Sequence, residues 1–466
     1  MSPPASNTSS VAVVGGGLAG LAAGCALAAA GFRVTLLERR PYLGGRASSY
    51  EHPGTGEVVD NCQHVLLGCC TNLVDFYRRI GVAEKIRWFD RLVFVEPGGR
   101  QSVISPSWLP APFHTAPSFL GADSLSFGDK AAIARAMLAI IASLPGETEE
   151  NFLSWLRRHG QTGRAIERFW KVVLVSALNE DLDRMSIHYA AQVFRESFLK
   201  SPDAGRMGVP TVPLTELYSA GADYIRARGG EVLLRAPVES FQPGPDVVCL
   251  GVAGREVRAD FAVMAVPFDA LARLLPQATE AQPLRQQLAR FETSPITGIH
   301  LWFDRQITEL EHAVLLDRTI QWMFHKSKLV KRAASNDGSY VELVVSSSKE
   351  LVEKPKNEIE EMALRELREF FPGAREAKLV KSTVIKEVHA TYSALPRSDD
   401  YRPGTSTVWP SVFLAGDWTA SGWPATMEGA VRSGYRAAEA LARSAGRSET
   451  FLLPDLAASG FMRLFR

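Results

Sequence analysis

The sequence is poor in cysteine, and the few it has do not form a recognisable framework. Five cysteines stand among 466 residues, an odd number that does not suit a set of disulfides. We therefore expect free thiols and a reducing compartment. Cys62, Cys69 and Cys70 lie near His64, but they lack the paired C-x-x-C spacing of structural zinc. The sequence accordingly predicts no metal site.

Net charge is also nearly absent. Lys and Arg number 52 against 51 Asp and Glu, which leaves a formal charge of +1. Such a chain has no global field to attract a polyanion, so we expect no nucleic-acid partner. With 46% hydrophobic residues, its composition is that of a globular protein, and its length predicts two or three domains. The Ser- and Pro-rich residues 1–10 are expected to be disordered.

One long uncharged run, residues 11–31, has the length of a membrane span. No Lys or Arg precedes Arg33, and the run contains six glycines, so it makes a poor signal peptide or membrane helix. It reads better as a strand over 11–14, a helix over 18–30 and a second strand over 33–38. The sequence therefore predicts a βαβ unit at the start of the chain.

This unit carries a dinucleotide-binding pattern. Gly15-x-Gly17-x-x-Gly20 joins the strand to the helix, and Glu38 ends the next strand 18 residues after the last glycine. The glycines permit a tight turn, close approach to a pyrophosphate and tight helix packing, while the acid can accept ribose hydroxyls. The alternative is a merely structural glycine-rich turn. The candidate dinucleotide contacts here are Gly15, Gly17, Leu18, Ala19, Gly20, Glu38 and Arg39.

Two further segments favour FAD over NAD. A second glycine turn, Gly44 to Arg46, follows the acid and brings Gly45 and Arg46 towards the dinucleotide. Near the C-terminus a strand ends in Gly416 and Asp417, where the aspartate could bind ribityl or phosphate oxygens. The helix predicted within 422–442 would aim its N-terminus at the pyrimidine edge of a flavin and stabilise negative charge there. Its first candidate contacts are Ala425, Thr426 and Met427.

Periodicity outlines the rest of the chain. Asp129 is the predicted N-cap of one helix, and Pro145 and Gly146 close it. Strands that come late in the chain suit the first sheet. The predicted helices cover 128–146, 151–159, 212–230 and 356–374, and the predicted strands cover 231–241, 261–267 and 296–303.

Taken together, these segments resemble the flavin-containing amine oxidase and phytoene desaturase superfamily. The resemblance implies an α/β fold, in which a Rossmann-type FAD-binding domain of separated segments holds an inserted α+β substrate domain. It also places Gln63, His64 and Val238 against FAD. The implied FAD-binding domain comprises 11–75, 214–290 and 405–448, the substrate domain 76–213 and 291–404, and the tail 449–466.

Four stretches most resemble one subgroup, the hydroxysqualene dehydroxylases of bacterial hopanoid synthesis. They are residues 60–72, 87–100, 208–218 and 451–465. The resemblance implies reductive dehydroxylation of hydroxysqualene, a C30 isoprenoid, to squalene, with an unidentified electron donor. Desaturation or isomerisation of a long polyene would use the same FAD motifs. A non-catalytic prenyl-binding escort would share the fold but would not need the motif at 415–417.

The chain departs from the amine oxidases at two places. Residues 422–434 contain no cysteine that could tether the flavin, so FAD is expected to be non-covalent. The strand 296–303 carries His300 and no lysine, whereas amine oxidases place a lysine near the flavin. Both departures disfavour amine oxidation.

Several further residues are candidates for contact with the substrate. His64 could orient substrate or donate a proton, although a buried structural histidine would look the same in sequence. Aromatic and histidine side chains of the substrate domain could line a cavity, although most such residues belong to a core. The candidates are Trp322, Phe324, His325, His389 and Tyr392.

Two apolar stretches predict contact with a membrane surface. Residues 108–120 are rich in aromatics and proline, and residues 461–466 combine apolar side chains with two arginines. This mixture suits an interfacial anchor, because a C30 product is almost insoluble in water. We therefore expect a cytoplasmic protein bound peripherally to the inner face of the cell membrane. A tail docked on its own protein is the alternative.

Overall fold

The computed structural model describes residues 8–244, 247–330 and 338–465. Residues 1–7 of the expected disordered segment lie outside this range, and Ser10 already belongs to a strand. All five cysteines are free thiols. Among the described residues, no helix combines the length and hydropathy needed to cross a membrane.

The strands are short apart from two long antiparallel ones. In chain order they are β1 (Ser10–Val14), β2 (Arg33–Glu38), β3 (Ser49–His52), β4 (Glu57–Asp60), β5 (Leu66–Leu67), β6 (Ile86–Phe89), β7 (Leu92–Val95), β8 (Gln101–Ile104), β9 (Met207–Pro210), β10 (Glu231–Leu234), β11 (Val238–Pro243), β12 (Val248–Val252), β13 (Arg255–Ala259), β14 (Phe261–Met264), β15 (Thr293–Phe303), β16 (His312–Leu315), β17 (Trp322–Phe324), β18 (Ser339–Ser346), β19 (Leu379–Tyr392) and β20 (Val412–Leu414).

The helices follow in the same order. They are α1 (Leu18–Ala29), α2 (Thr71–Arg79), α3 (Ala116–Gly121), α4 (Phe127–Ala142), α5 (Phe152–Arg158), α6 (Gly163–Ala165), α7 (Lys171–Leu178), α8 (Ile187–Phe194), α9 (Leu214–Arg226), α10 (Phe268–Leu274), α11 (Gln282–Leu288), α12 (Lys326–Leu329), α13 (Lys349–Val352), α14 (Lys356–Phe370), α15 (Gly373–Glu376) and α16 (Met427–Ser444). A 3₁₀ helix over Gly460–Leu464 ends the described chain.

A parallel sheet organises the first layer. Its strand order is β10-β2-β1-β14-β20, so strands from three distant parts of the chain meet as the sequence predicts. The valines of β1 are fully buried because helices or other strands cover both faces. Helix α16 lies close against α1, since a Cβ at Gly434 would be 2.3 Å from the Ala19 carbonyl oxygen.

A mixed sheet organises the second layer, with strand order β19-β15-β18-β17-β16-β7-β8. Helix α14 packs its buried face, which includes Ile359 and Leu367, against the interior of this sheet. The helices from α3 to α8 form a separate core around Trp170 and Phe194. The inserted unit therefore combines a sheet with a helical cluster.

Two expectations about the elements are wrong in detail. The segment 231–241 is not one strand, because the chain leaves the parallel sheet after β10 and enters an antiparallel ribbon at β11. The N-cap of α4 is Ser126 and not Asp129, whose carboxylate instead accepts hydrogen bonds from the Ser126 backbone N–H and hydroxyl in a capping box.

Candidate active site

The glycine motif forms a tight cradle between β1 and α1. A Cβ at Gly20 would lie 1.9 Å from the Gly15 carbonyl oxygen, and one at Gly15 would lie 2.5 Å from the Ala265 carbonyl oxygen. Gly15 also has a φ of +110°, which other residues rarely adopt. Neither position has room for a side chain, and the backbone N–H groups at the start of α1 remain available to an anion.

Glu38 lies directly beside this cradle. Its two carboxylate oxygens each accept a hydrogen bond of 2.7 Å, from the backbone N–H of Gly16 and of Arg40. The carboxylate is thereby fixed at the end of β2, where the motif predicts a ribose contact. The backbone N–H of Ala236, just before β11, donates to the Glu38 carbonyl oxygen, which brings the predicted contact Val238 near this corner.

The second glycine turn closes over the first. The backbone N–H of Gly44 donates to the Gly16 carbonyl oxygen at 2.9 Å, and a Cβ at Gly45 would come within 3.0 Å of the Gly17 Cα. Arg40 completes the turn by donating to the Gly45 carbonyl oxygen. The predicted contact Arg39 is exposed, and its neighbour Arg40 makes the hydrogen bond to this turn.

An ion pair between Arg46 and Asp417 connects the second glycine turn with the loop before α16. Arg46 Nη2 lies 2.5 Å from Asp417 Oδ1, and Nη1 donates to the Ala390 carbonyl oxygen. Asp417 is 4% exposed, so the ion pair is largely shielded from water on that side. The backbone N–H of Gly416 is held by the Ser433 hydroxyl of α16. These predicted residues therefore form one connected group.

The loop before α16 is organised by Arg402, which the sequence did not single out. Its guanidinium donates to the carbonyl oxygens of Asp417, Thr419 and Trp423. At its other end the guanidinium contacts Tyr189 and Asp399. Arg402 is fully buried, and its donors fix the path of the chain up to α16. An arginine after Tyr401 in a loop gives no sequence signal of this role.

Helix α16 begins where the sequence predicts a flavin contact. Thr426 is its N-cap, and its hydroxyl accepts the backbone N–H of Gly429. Ala425 is buried, and Met427 Sδ accepts a hydrogen bond from the Tyr218 hydroxyl. The buried Glu428 in the first turn caps the neighbouring helix α2 by accepting from the backbone N–H groups of Asn72 and Leu73.

Residues 60–64 form a further part of the candidate site. His64 Nδ1 lies 2.8 Å from the Cys62 carbonyl oxygen. Because a carbonyl can only accept, Nδ1 carries the hydrogen and Nε2 keeps a lone pair. Burial lowers the pKa of His64, although the bond to Cys62 opposes that effect. A neutral ring accepts protons, so the geometry does not favour the predicted role as a proton donor at neutral pH.

A buried charged cluster, Lys326, Asp60 and Glu342, supports this segment from behind. Lys326 Nζ lies 2.6 Å from Asp60 Oδ2, 2.8 Å from the Gln63 amide oxygen and 3.5 Å from Glu342 Oε2. The Gln63 amide in turn donates to the His64 carbonyl oxygen. The three charged side chains are at most 6% exposed, so the ammonium is matched to its carboxylates inside the protein.

Burial and the neighbouring charges shift the pKa values of Glu342 and Lys326. Burial raises the pKa of Glu342 to about 7, with the charge of Asp60 adding to the effect and Lys326 opposing it. Burial alone would lower the pKa of Lys326, but Asp60 and Glu342 outweigh it and the pKa is raised. No local pattern predicts this cluster, because Lys326 lies 266 residues from Asp60.

The predicted cavity residues separate into two groups. Trp322 and Phe324 stack with ring centroids 5.5 Å apart and pack in the same apolar cluster as Cys62. His325 is buried at the end of β17. His389 is exposed on β19 and contacts Thr293, and its place in a cavity stays a prediction. Tyr392 packs against Phe291 in the core beside the parallel sheet.

The glycine cradle, the fixed acid and the loop before α16 define a class of protein, the dinucleotide-binding proteins with a Rossmann-type βαβ unit. The particular family follows from comparison with known sequences. Residues 18–442 match the model of the flavin containing amine oxidoreductases, and the chain belongs to this family. A flavin cofactor follows from that membership.

Curated relatives cover nearly the whole chain. The 15-cis-phytoene desaturase of Synechococcus elongatus is 28% identical over 454 residues, covering 92% of this chain and 95% of the relative. The chloroplast enzyme of the same name from Arabidopsis thaliana is 26% identical, covering 91% of this chain and 78% of the relative. The chain is thus similar to desaturases of the phytoene type.

Solved structures show the same fold. Putrescine oxidase bound to putrescine superposes with a TM-score of 0.70 at 17% identity, covering 92% of this chain and 98% of that one. Cyclohexylamine oxidase from Brevibacterium oxydans gives a TM-score of 0.69 at 17% identity, covering 94% and 100%. The predicted α/β architecture of an FAD-binding part with an inserted substrate part is confirmed.

The residues present fit a flavin dinucleotide. The cradle has no space for side chains at Gly15 and Gly20, yet it leaves helix α1 open at its N-terminus. Glu38 stands at the predicted ribose end, and Asp417 stands with α16 at the opposite end. The individual contacts from these residues to a bound flavin remain predictions.

Proposed function

We propose that this protein binds FAD non-covalently and desaturates a long isoprenoid polyene. The proposal is supported by the similarity of the chain to phytoene desaturases and by the apolar side chains packed around Cys62. It also agrees with the absence of a cysteine in residues 422–434.

The observation that carries the proposal is the apolar cluster around Cys62. Met207, Phe324 and Val344 are buried in it, and Val65, Leu67 and Trp322 are partly buried against it. Asp60, the nearby carboxylate that could attract an amine, is already paired with Lys326. We infer that the partly buried members of this cluster contact a hydrocarbon substrate, which gains free energy by leaving water, whereas a cationic amine would lose its hydration there.

Desaturation removes two hydrogens from adjacent carbons, one as hydride and one as a proton. FAD, when bound, supplies a two-electron acceptor. The chain supplies a proton acceptor, for which His64 Nε2 is our choice because Nδ1 is committed to the Cys62 carbonyl oxygen. An external redox partner, whose identity the sequence does not give, must then restore the cofactor.

A second candidate reaction is the reductive dehydroxylation of hydroxysqualene to squalene. The observation that favours it is the resemblance of residues 60–72, 87–100, 208–218 and 451–465 to the hydroxysqualene dehydroxylases. An allylic hydroxyl leaving as water needs a proton donor, and the neutral state of His64 does not supply one at pH 7. The apolar surroundings would protect the resulting cation from water.

One experiment separates the two reactions. Oxidised protein is incubated with phytoene or squalene, and reduced protein is incubated without oxygen with hydroxysqualene, and the products are identified by mass spectrometry. New double bonds formed by the oxidised protein support the desaturase. Conversion of the alcohol to squalene by the reduced protein assigns the dehydroxylase instead. Turnover of putrescine with neither isoprenoid reaction would contradict both.

The role of His64 is tested in whichever reaction is found. His64→Ala should slow turnover by roughly 10²- to 10⁴-fold at unchanged flavin content if the ring exchanges a proton with substrate. His159→Ala is the matched control, because its Nδ1 also lies 2.8 Å from a carbonyl oxygen, that of Trp155 in the separate helical core, and its turnover should equal that of the wild type. Normal turnover of His64→Ala would remove His64 from the mechanism.

A further inference from the structure

An apolar surface is built from three separate segments of the substrate unit. They are residues 107–121, helix α4 and residues 457–465, and we call them the docking face. Large apolar side chains project from all three, including Trp108 at 90%, Phe127 at 82% and Leu464 at 78% exposure. Scattered single exposures are ordinary in proteins, but a cluster of this kind marks an interaction surface.

Contacts between the chain end and residues 110–113 join two of these segments. The backbone N–H of Phe461 donates to the Ala111 carbonyl oxygen at 2.9 Å, and the rings of Phe113 and Phe461 are 6.2 Å apart. Met462 is 1% exposed and shares a buried cluster with Ala111 and Ile133 of α4. The chain end is therefore docked on its own protein through Met462, while its remaining side chains point outward.

Helix α4 contributes an unusual outer face. Its inner face buries Ala132, Ile133, Ala136 and Ile140, as an amphipathic helix should. The opposite face normally carries polar side chains. Here the exposed positions at helical spacing are Phe127, Ala131, Ala134, Leu138 and Ala142. The outer side of the helix is thus mostly apolar, and its exposed charged residue, Arg135, donates to the carbonyl oxygens of His159 and Gly160.

The charges on the docking face are of one sign. Lys130, Arg135 and Arg463 are its basic residues. Asp129 is buried and accepts hydrogen bonds from Ser126 and Thr162. Within the three segments, all of which the structure describes, no acidic side chain is exposed. Just outside the segments, between residue 121 and α4, Asp123 is exposed, and Arg135 also donates to the Gly160 carbonyl oxygen.

We propose that the docking face lies in the headgroup layer of an anionic bilayer, with α4 parallel to the membrane plane. Apolar side chains combined with basic ones are what such an interface binds. A second copy of this chain is a poorer occupant, because pairing the face with itself would bring like charges together. This assignment goes beyond the proposed reaction and does not depend on it.

A cleft of about 620 Å³ adjoins this face. It is lined by Ala142 from the end of α4, by Met462 and Phe465 from the chain end, and by Arg195, Glu196 and Lys200, the last two of which form an ion pair. The Arg195 guanidinium donates to the Phe465 carbonyl oxygen, so the chain end forms one wall. Bilayer docking would bring this cleft to the level of the lipid headgroups.

Co-sedimentation of the full-length flavoprotein with vesicles tests the proposal. The triple variant Trp108→Ser, Phe127→Ser and Leu464→Ser removes exposed side chains only. Its affinity for vesicles of mixed phosphatidylglycerol and phosphatidylcholine should fall by about tenfold or more, at unchanged melting temperature and flavin content. The matched control is Val380→Ser with Val408→Ser, which removes exposed valines outside the docking face and should bind like the wild type.

The other outcomes are equally decisive. Wild-type binding should weaken on pure phosphatidylcholine vesicles and at high salt, because the basic residues contribute through screened charge interactions. Equal binding of the triple variant and the wild type would overturn the proposal. So would a wild-type protein that ignores vesicles but forms a dimer in light scattering that the triple variant abolishes, since the face would then join two copies.

Discussion

The cofactor cradle and the segment facing it are stabilised in different ways. The cradle is made of backbone, since Gly15, Gly20 and Gly44 lie so close to neighbouring main chain that a Cβ would clash. Residues 60–64, by contrast, are held by buried charged side chains, with Lys326 bridging Asp60 and Gln63. One region depends on the absence of side chains, and the other depends on a buried ion cluster.

The largest expected effect concerns the buried cluster. Lys326→Met would leave Asp60 and Glu342 buried without their cation, and losing one partner of such a group costs about 3 to 5 kcal/mol. Urea denaturation of the purified protein measures this loss in the free energy of unfolding. Lys328→Met is the control, because its partner Glu309 is 90% exposed, and it should cost about 0 to 1 kcal/mol. Equal costs would show that the cluster does not stabilise the segment.

The second prediction uses pH. The pKa of Glu342 rises from 4.5 to about 7 on folding, so the native state holds more protons than the unfolded chain between those values. The wild type therefore loses stability as pH rises through this window, by up to about 3 kcal/mol. Glu342→Gln lacks this loss, so its stability relative to the wild type should increase from pH 5 to pH 8.

Urea denaturation of both proteins at several pH values checks this difference. The buried histidines titrate in both proteins, so their contributions cancel in the comparison. Glu369→Gln is the control, because Glu369 lies at the surface in an ion pair with Arg318, and its stability difference from the wild type should not depend on pH in this range. A Glu342→Gln difference that is constant from pH 5 to pH 8 would contradict the assignment.

The smallest expected effect concerns the ion pair between Arg46 and Asp417. Asp417→Ala removes a carboxylate that pairs with Arg46, and a charge-assisted hydrogen bond contributes about 1.5 to 3 kcal/mol. FAD affinity, measured by titrating the flavin-free protein, should fall roughly ten- to a hundredfold. Asp223→Ala serves as control, because its side chain is 79% exposed. An unchanged affinity would remove Asp417 from the flavin site.

The contrast also explains what could be predicted from the sequence. The βαβ unit, Glu38 and the start of α16 depend on local spacing, and the structure forms each of these elements where the sequence predicts it. Lys326, Glu342 and Arg402 gave no such signal, because their roles come from contacts between residues far apart in the chain. The place of His389 in the cavity stays a prediction, since composition alone does not tell which side of β19 a residue faces.

Release of the cofactor on denaturation tests most directly whether the protein binds FAD and binds it non-covalently. Purified protein is denatured by heat or acid, and the supernatant and the washed polypeptide are analysed by absorbance and chromatography. The account predicts that all yellow colour leaves the polypeptide and that the released compound is FAD. Flavin that stays on the polypeptide would contradict non-covalent binding, and a protein that neither contains nor takes up FAD would contradict the site itself.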